Sequence, residues 1–128
     1  MTKPTLILVV EDNEANQLLA SSVLEREGYR VQVAASARDA VELMKADQPD
    51  LILMDVQLPG EDGLVLTRRL KADPTTAMIP IVALTAHAMV GDREVALEAG
   101  CVGYIAKPIN TRTFGEQIRQ FLLQVARP

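Results

Sequence analysis

The sequence predicts a three-layer α/β sandwich of five βα units, (βα)5, and three observations carry that reading. Five short β-rich segments alternate with segments of helical character. Three of the five are apolar at nearly every position, the pattern of strands covered on both faces, as in a parallel sheet. Alternating units joined by right-handed crossovers place helices on both sides of one sheet.

The first strand is expected at Leu6–Val10, the second at Val31–Ala34, the third at Leu51–Met54, the fourth at Ile79–Leu84 and the fifth at Val102–Ala106. The second contains Gln32 and alternates more, which suits an edge. Between the strands, Ser36-Ala37-Arg38-Asp39 reads as a capping box opening a helix with Ala40, Val41, Leu43 and Met44 behind it. Gly28 and Gly100 fall where helix C-caps belong. Asp73-Pro74 ends the third helix. Phe114, Ile118, Phe121, Leu122 and Val125 form one apolar stripe on the last. Strand order is not dictated by these patterns; 2-1-3-4-5 is one common solution, and in such sheets ligands sit beyond the carboxyl ends of the strands, at the switch point between strands one and three.

Bulk properties narrow the function. A chain of 128 residues suggests one domain, expected to span 1–128 with a core at about 5–125. Apolar residues at 48% and charged residues at 23% exclude disorder, and a net charge of −4 offers no basic footprint for nucleic acid. A single cysteine, Cys101, permits no internal disulfide and is expected in the core; this fits a reducing cytoplasm. No signal peptide is read at the N-terminus, and no apolar run is long enough for membrane insertion.

Chemistry collects where the strands end. Glu11 and Asp12 follow the first strand, Asp55 the third, Thr85 the fourth and Lys107, followed by Pro108, the fifth. Three carboxylates brought together repel, and either one protonates or a cation joins them. A hard divalent ion such as Mg²⁺ or Mn²⁺ suits oxygen ligands, water and a phosphate oxygen. Asp55 can then attack a phosphoryl group to give an aspartyl-phosphate, with Lys107 and Thr85 serving its oxygens. Each residue also has a plainer explanation. Glu11 and Asp12 can be a helix N-terminus, Asp55 a solvated strand end, Thr85 β-branched filler and Tyr104 half-buried packing. Lys107, by contrast, closes an apolar strand, where a merely solvated lysine is out of place. His87, the lone histidine, lies two residues after Thr85 and reads as a solvated loop residue or, more sharply, as one that edges the site and tunes hydrolysis.

The segments Val10-Glu11-Asp12-Asn13, Leu53-Met54-Asp55-Val56, Leu58-Pro59-Gly60-Glu61-Asp62-Gly63, Ala83-Leu84-Thr85-Ala86 and Gly103-Tyr104-Ile105-Ala106-Lys107-Pro108 occur in order on the expected strands. In this the chain resembles the receiver domains of two-component response regulators, with likeness to single-domain receivers of the chemotaxis and cell-cycle regulator type. The resemblance implies a flavodoxin-like receiver fold and assigns Asp55 as phosphoacceptor. It implies metal contacts from Asp12 directly, from Glu11 often through water, from Asp55 and from the backbone carbonyl of Gln57. Lys107 would bind the phosphoryl group, Thr85 and Tyr104 would be the switch pair, and the Lys107–Pro108 peptide would be cis. Glu-Asp in place of Asp-Asp departs mildly from the family pattern and bears on how Glu11 meets the metal.

It further implies a signalling protein rather than an enzyme, phosphorylated by a sensor histidine kinase or histidine phosphotransfer protein. Its downstream protein target would be read by the face of helix four, strand five and helix five. There Met89, Val90 and Ile109 are apolar without an evident packing need. The same features suit a receiver cut from a hybrid kinase or larger regulator, or a scaffold without phosphorylation, although the complete acid, hydroxyl and lysine set argues against the scaffold. A haloacid-dehalogenase-type phosphatase would need an acid where Gln57 stands. A flavin or nucleotide binder would need a Gly/Ser/Thr-rich loop where Glu11-Asp12 stands.

Overall fold

A computed structural model describes residues 4–58, 60, 62–86 and 90–126. The elements run β1 (Leu6–Val10), α1 (Glu14–Arg26), β2 (Arg30–Ala34), α2 (Ala37–Ala46), β3 (Leu51–Asp55), α3 (Gly63–Ala72), β4 (Ile81–Thr85), α4 (Val90–Ala99), β5 (Gly103–Ala106) and α5 (Phe114–Ala126). The strands form one parallel sheet in the order β2-β1-β3-β4-β5. This is the (βα)5 sandwich the sequence predicts, with the strand order it left open now fixed.

Alternate side chains of each strand feed different cores, as the period of two demands. Leu8, Val10, Ile52, Met54, Ile81 and Ala83 pack under α2, α3 and α4. Ile7, Val9, Leu51, Leu53, Val82 and Leu84 pack under α1 and α5, against Leu24, Phe114 and Ile118. Every residue of β1, β3 and β4 is buried, whereas β2 is half-exposed, as its edge position and Gln32 require.

Local signals set most boundaries. Ser36 caps α2 by accepting the Asp39 N–H at 3.1 Å. Gly28 and Gly100 adopt φ +96° and +113°, the left-handed conformation that ends α1 and α4. α3 stops at Asp73, before Pro74. β4 begins at Ile81 rather than Ile79, because the Ile79 N–H turns back to Thr76 O and Pro80 has no N–H to give. β3 runs one residue further than expected and so includes Asp55.

One expectation changes. Ile109 is buried in the core under α1 and α5, so packing does account for it. Cys101 is buried too, as expected, and burial pushes its thiol upward. His87 and Met89 lie outside the described residues, as do Pro59 and Glu61, and the side chains of Val90 and Val125 are likewise not described.

Candidate active site

β1, β3, β4 and β5 all run in one direction, so their carboxyl ends share one rim, and the polar residues named above are gathered there. Glu11 is pinned by its backbone and its side chain. Its N–H donates to Ala34 O at 2.9 Å, across to β2. Its Oε2 accepts the Asn13 N–H at 3.3 Å, and its backbone carbonyl accepts from Gln17 Nε2 at 2.6 Å. Asn13 caps α1 by accepting the Asn16 N–H. Glu11 and Asp55 are 1% and 2% exposed, while Asp12 faces solvent.

Lys107 lies between the two buried acids. Its Nζ is 2.9 Å from Glu11 Oε1 and 3.2 Å from Asp55 Oδ2, and its side chain retains 19% exposure. Its N–H donates to Thr85 O at 2.7 Å, which locks the β4 and β5 ends together. The Lys107–Pro108 peptide is cis, as the resemblance implies. Asp55 Oδ1 accepts the Gln57 N–H at 3.0 Å. The Gly63 N–H donates to Val56 O at 2.9 Å, so α3 starts directly against the end of β3.

The electrostatics follow from this crowding. Burial, together with the hydrogen bond and charge of Glu11, pushes the Asp55 carboxyl up to about 6, against the opposing pull of the Gln57 N–H and Lys107. Burial acts on Glu11 as well, but the neighbouring Asp55 carboxyl, the Lys107 ammonium and the Asn13 N–H together hold it below the usual carboxylate range. Burial opposes the Lys107 charge, yet its two acidic partners outweigh that and raise its pKa. Of the two buried acids, Asp55 is therefore the one that takes up a proton first as pH falls.

The residues fit a hard divalent ion. Glu11, Asp12 and Asp55 each offer a carboxylate oxygen, and these lie within 4.8 Å of one another. Glu11 Oε1 is fully buried and, among the described residues, makes no aligned hydrogen bond, although Lys107 is near, so it has capacity for a cation. Beside this trio a cleft of about 230 Å³ opens, lined by Val56, Gln57, Asp62, Leu64, Thr85, Asp92 and Val95. A larger cleft of about 360 Å³ between α2 and α3 is lined by none of the site residues.

Thr85 and Tyr104 share a sheet face. Tyr104 is paired with Ala83 across the β4–β5 ladder, and Thr85 is two residues further along β4. Tyr104 packs against the core under α2, α3 and α4. From α4, the Arg93 guanidinium carbon lies 5.3 Å from its ring centre, a cation–π contact.

Sequence reasoning did not single out Gln17, the steric part of Gly63 or Arg93. Gly63 had a signal in its motif. Gln17 and Arg93 had none, because each acts across a turn or between elements.

Acids, hydroxyl and lysine on the rim of such a sheet define a receiver, and comparison with known proteins agrees. The family model described as response regulator receiver domain matches residues 7–119, and the chain belongs to that family, the receiver domains of two-component signalling. Among its relatives is the polar-differentiation response regulator DivK of Brucella ovis, 43% identical over 122 residues, which are 95% of this chain and 98% of that protein. Similar solved structures include the receiver domain of the sensor histidine kinase PA1611 from Pseudomonas aeruginosa PAO1, which has a magnesium ion coordinated in its active site cleft. That match has a TM-score of 0.83 and 37% identity, covering 98% of this chain and 100% of the other. A CheY-like receiver domain protein from Methanospirillum hungatei JF-1 matches with a TM-score of 0.87 and 28% identity, covering 97% and 98%.

Proposed function

We propose that this chain, acting as a single receiver domain over 1–128, takes a phosphoryl group onto Asp55 from the phosphohistidine of a sensor histidine kinase or histidine phosphotransfer protein. The carrying observation is the setting of Asp55: buried at the end of β3, facing Lys107 at 3.2 Å, with two further carboxylates in reach. An Asp55 oxygen donates the electron pair of the new O–P bond. The donor's P–N bond breaks, and its electron pair leaves with the imidazole, which takes up a proton. Asp55 must be ionised to attack, which its carboxyl near 6 permits at neutral pH. Lys107, held as an ammonium by its acidic partners, offers a donor to the arriving oxygens. Glu11, Asp12, Asp55 and the backbone carbonyl of Gln57 would hold Mg²⁺ or Mn²⁺, which supplies charge neutralisation when bound. Asp12, open to solvent, suits the direct contact; Glu11, engaged by Lys107, suits a contact through water. Hydrolysis of the acyl phosphate returns Asp55.

Phosphorylation would shift a two-state equilibrium through Thr85 and Tyr104. The shared sheet face of the pair supports this. The output would be protein binding on α4, β5 and α5, where Val95, Leu97 and Val102 are exposed apolar residues. The reading puts the protein in the cytoplasm. It needs no nucleic-acid contact, and among the described residues no helix is long and apolar enough to cross a membrane.

Intact-protein mass spectrometry after acetyl phosphate and Mg²⁺ should show one added phosphoryl group that is absent from Asp55→Asn. Equal labelling of that variant overturns the assignment.

A further inference from the structure

We propose that Gln17 is a positioning residue for the acidic pair, its side-chain amide setting the direction in which Asp12 presents its carboxylate. This rests on the reading of the rim as a metal-dependent phosphoacceptor site. The Glu11–Asp12 segment crosses from β1 to α1 with little regular structure to hold it. On its N-terminal side the chain is fixed, since the Glu11 N–H donates to Ala34 O at 2.9 Å. On its C-terminal side the clamp comes from Gln17, whose Nε2 donates to Glu11 O at 2.6 Å, six residues back along the chain. A peptide unit is planar and rigid, so aiming the Glu11 carbonyl also aims the Asp12 N–H and Cα.

Gln17 is well placed for this work. Its own N–H is in the α1 ladder, donating to Asn13 O at 2.9 Å, so its backbone cannot drift. The side chain is half-buried and loops back over the first helical turn, lining a groove with Glu14, Leu18, Ser21 and Val33. Among the described residues its amide donates to neither the Asp55 nor the Asp12 carboxylate, and so it acts through the backbone. Glu11 gains as well: with N–H, carbonyl and Oε2 all engaged, its buried Oε1 is left facing the cluster. Supporting groups of this kind typically change metal affinity by about 10-fold or more.

The test uses Gln17→Met, which keeps length and helix propensity but removes the donor, and Gln17→Glu, which keeps the shape, replaces donor by acceptor and adds negative charge. In metal-free protein the Glu11 carbonyl carbon resonance should move in both. Mn²⁺ affinity, read by electron paramagnetic resonance, should fall about 10-fold in Gln17→Met. Phosphoryl uptake from acetyl phosphate should slow at low metal and return to the wild-type rate at saturating metal, while the urea midpoint stays close to wild type. Weaker Mn²⁺ binding in Gln17→Glu, despite its added charge, would further support positioning. Unchanged Mn²⁺ affinity in Gln17→Met, with or without a loss of stability, overturns the proposal. A wild-type protein that binds no Mn²⁺ brings down the phosphoacceptor reading itself, and this proposal with it.

Discussion

Gly63 is pressed against the backbone carbonyl of Asp55. A Cβ built on Gly63 would fall 2.0 Å from Asp55 O and 2.9 Å from its carbonyl carbon, with Val56 Cα at 3.1 Å. All three neighbours are backbone, so none can swing aside. The glycine is required by space and not by dihedral, since it starts an ordinary helix. Gly63→Ala should cost about 3 kcal/mol and slow uptake at Asp55, because relief must move β3 or α3. Gly91→Ala is the control: none of the described residues lies within 4 Å of its Cβ position in α4, and it should be neutral or stabilising by about 0.5 kcal/mol. Urea unfolding followed by circular dichroism separates the two, and a Gly63→Ala protein as stable as wild type would refute the contact.

Asp55 should cost stability at neutral pH. Its carboxyl titrates near 6 in the folded protein, above the unfolded value of about 4. The folded state therefore holds more protons between those values, and its stability contribution, full below about pH 4, is lost as pH rises through about 6. Asp55→Asn removes that loss. In metal-free buffer it should be more stable than wild type by about 1–3 kcal/mol at pH above 6, with the advantage shrinking toward pH 4. An Asn variant no more stable than wild type at neutral pH would count against the crowding of Glu11 and Asp55.

Metal contacts should rank by exposure. Asp12→Ala is expected to weaken Mn²⁺ binding more than Glu11→Ala, since Asp12 faces solvent while Glu11 is committed to Lys107 and Asn13. Titration of each variant by electron paramagnetic resonance decides the order, and the reverse ranking would exchange the two roles.

Arg93 should restrain the switch. Its cation–π contact with Tyr104 is worth about 0.5–1 kcal/mol at an exposed position. Arg93→Ala should therefore shift Tyr104 ring resonances and change the switched population about two- to five-fold. Spectra recorded with and without Mg²⁺ and beryllofluoride, which mimics the phosphoryl group, provide the measure. Unmoved Tyr104 resonances would show that the contact restrains nothing, and changes confined to the loops around Asp55, without response in residues 90–112, would deny the switch altogether.

What could be read from sequence was whatever the backbone direction enforces. Parallel strands bring their carboxyl ends together, so Glu11, Asp12, Asp55, Thr85 and Lys107 had to meet once the five strands were recognised. The double-sided burial of β1, β3 and β4 was visible in their unbroken apolar runs. What escaped depends on side chains meeting across elements. Ile109 looked spare because its partners, Phe114 and Ile118 among them, belong to another element. Gln17 clamps a carbonyl six positions back, a spacing with no regular period. β4 started late because a turn at Thr76–Ile79 captured an N–H that the apolar pattern had assigned to the strand.

The three acids and the lysine on the rim carry a net charge of about −2 when all are ionised, which one divalent cation would cancel. The proposed phosphorylation would exchange the single charge of Asp55 for about −1.5 to −2, so the loaded rim would become anionic again by up to about one unit. Such a rim admits neutral water but repels hydroxide and a second phosphodonor alike. The lifetime of the acyl phosphate should then change little between about pH 7 and pH 9, and a steep acceleration over that range would mean the surplus charge is quenched by something not yet identified.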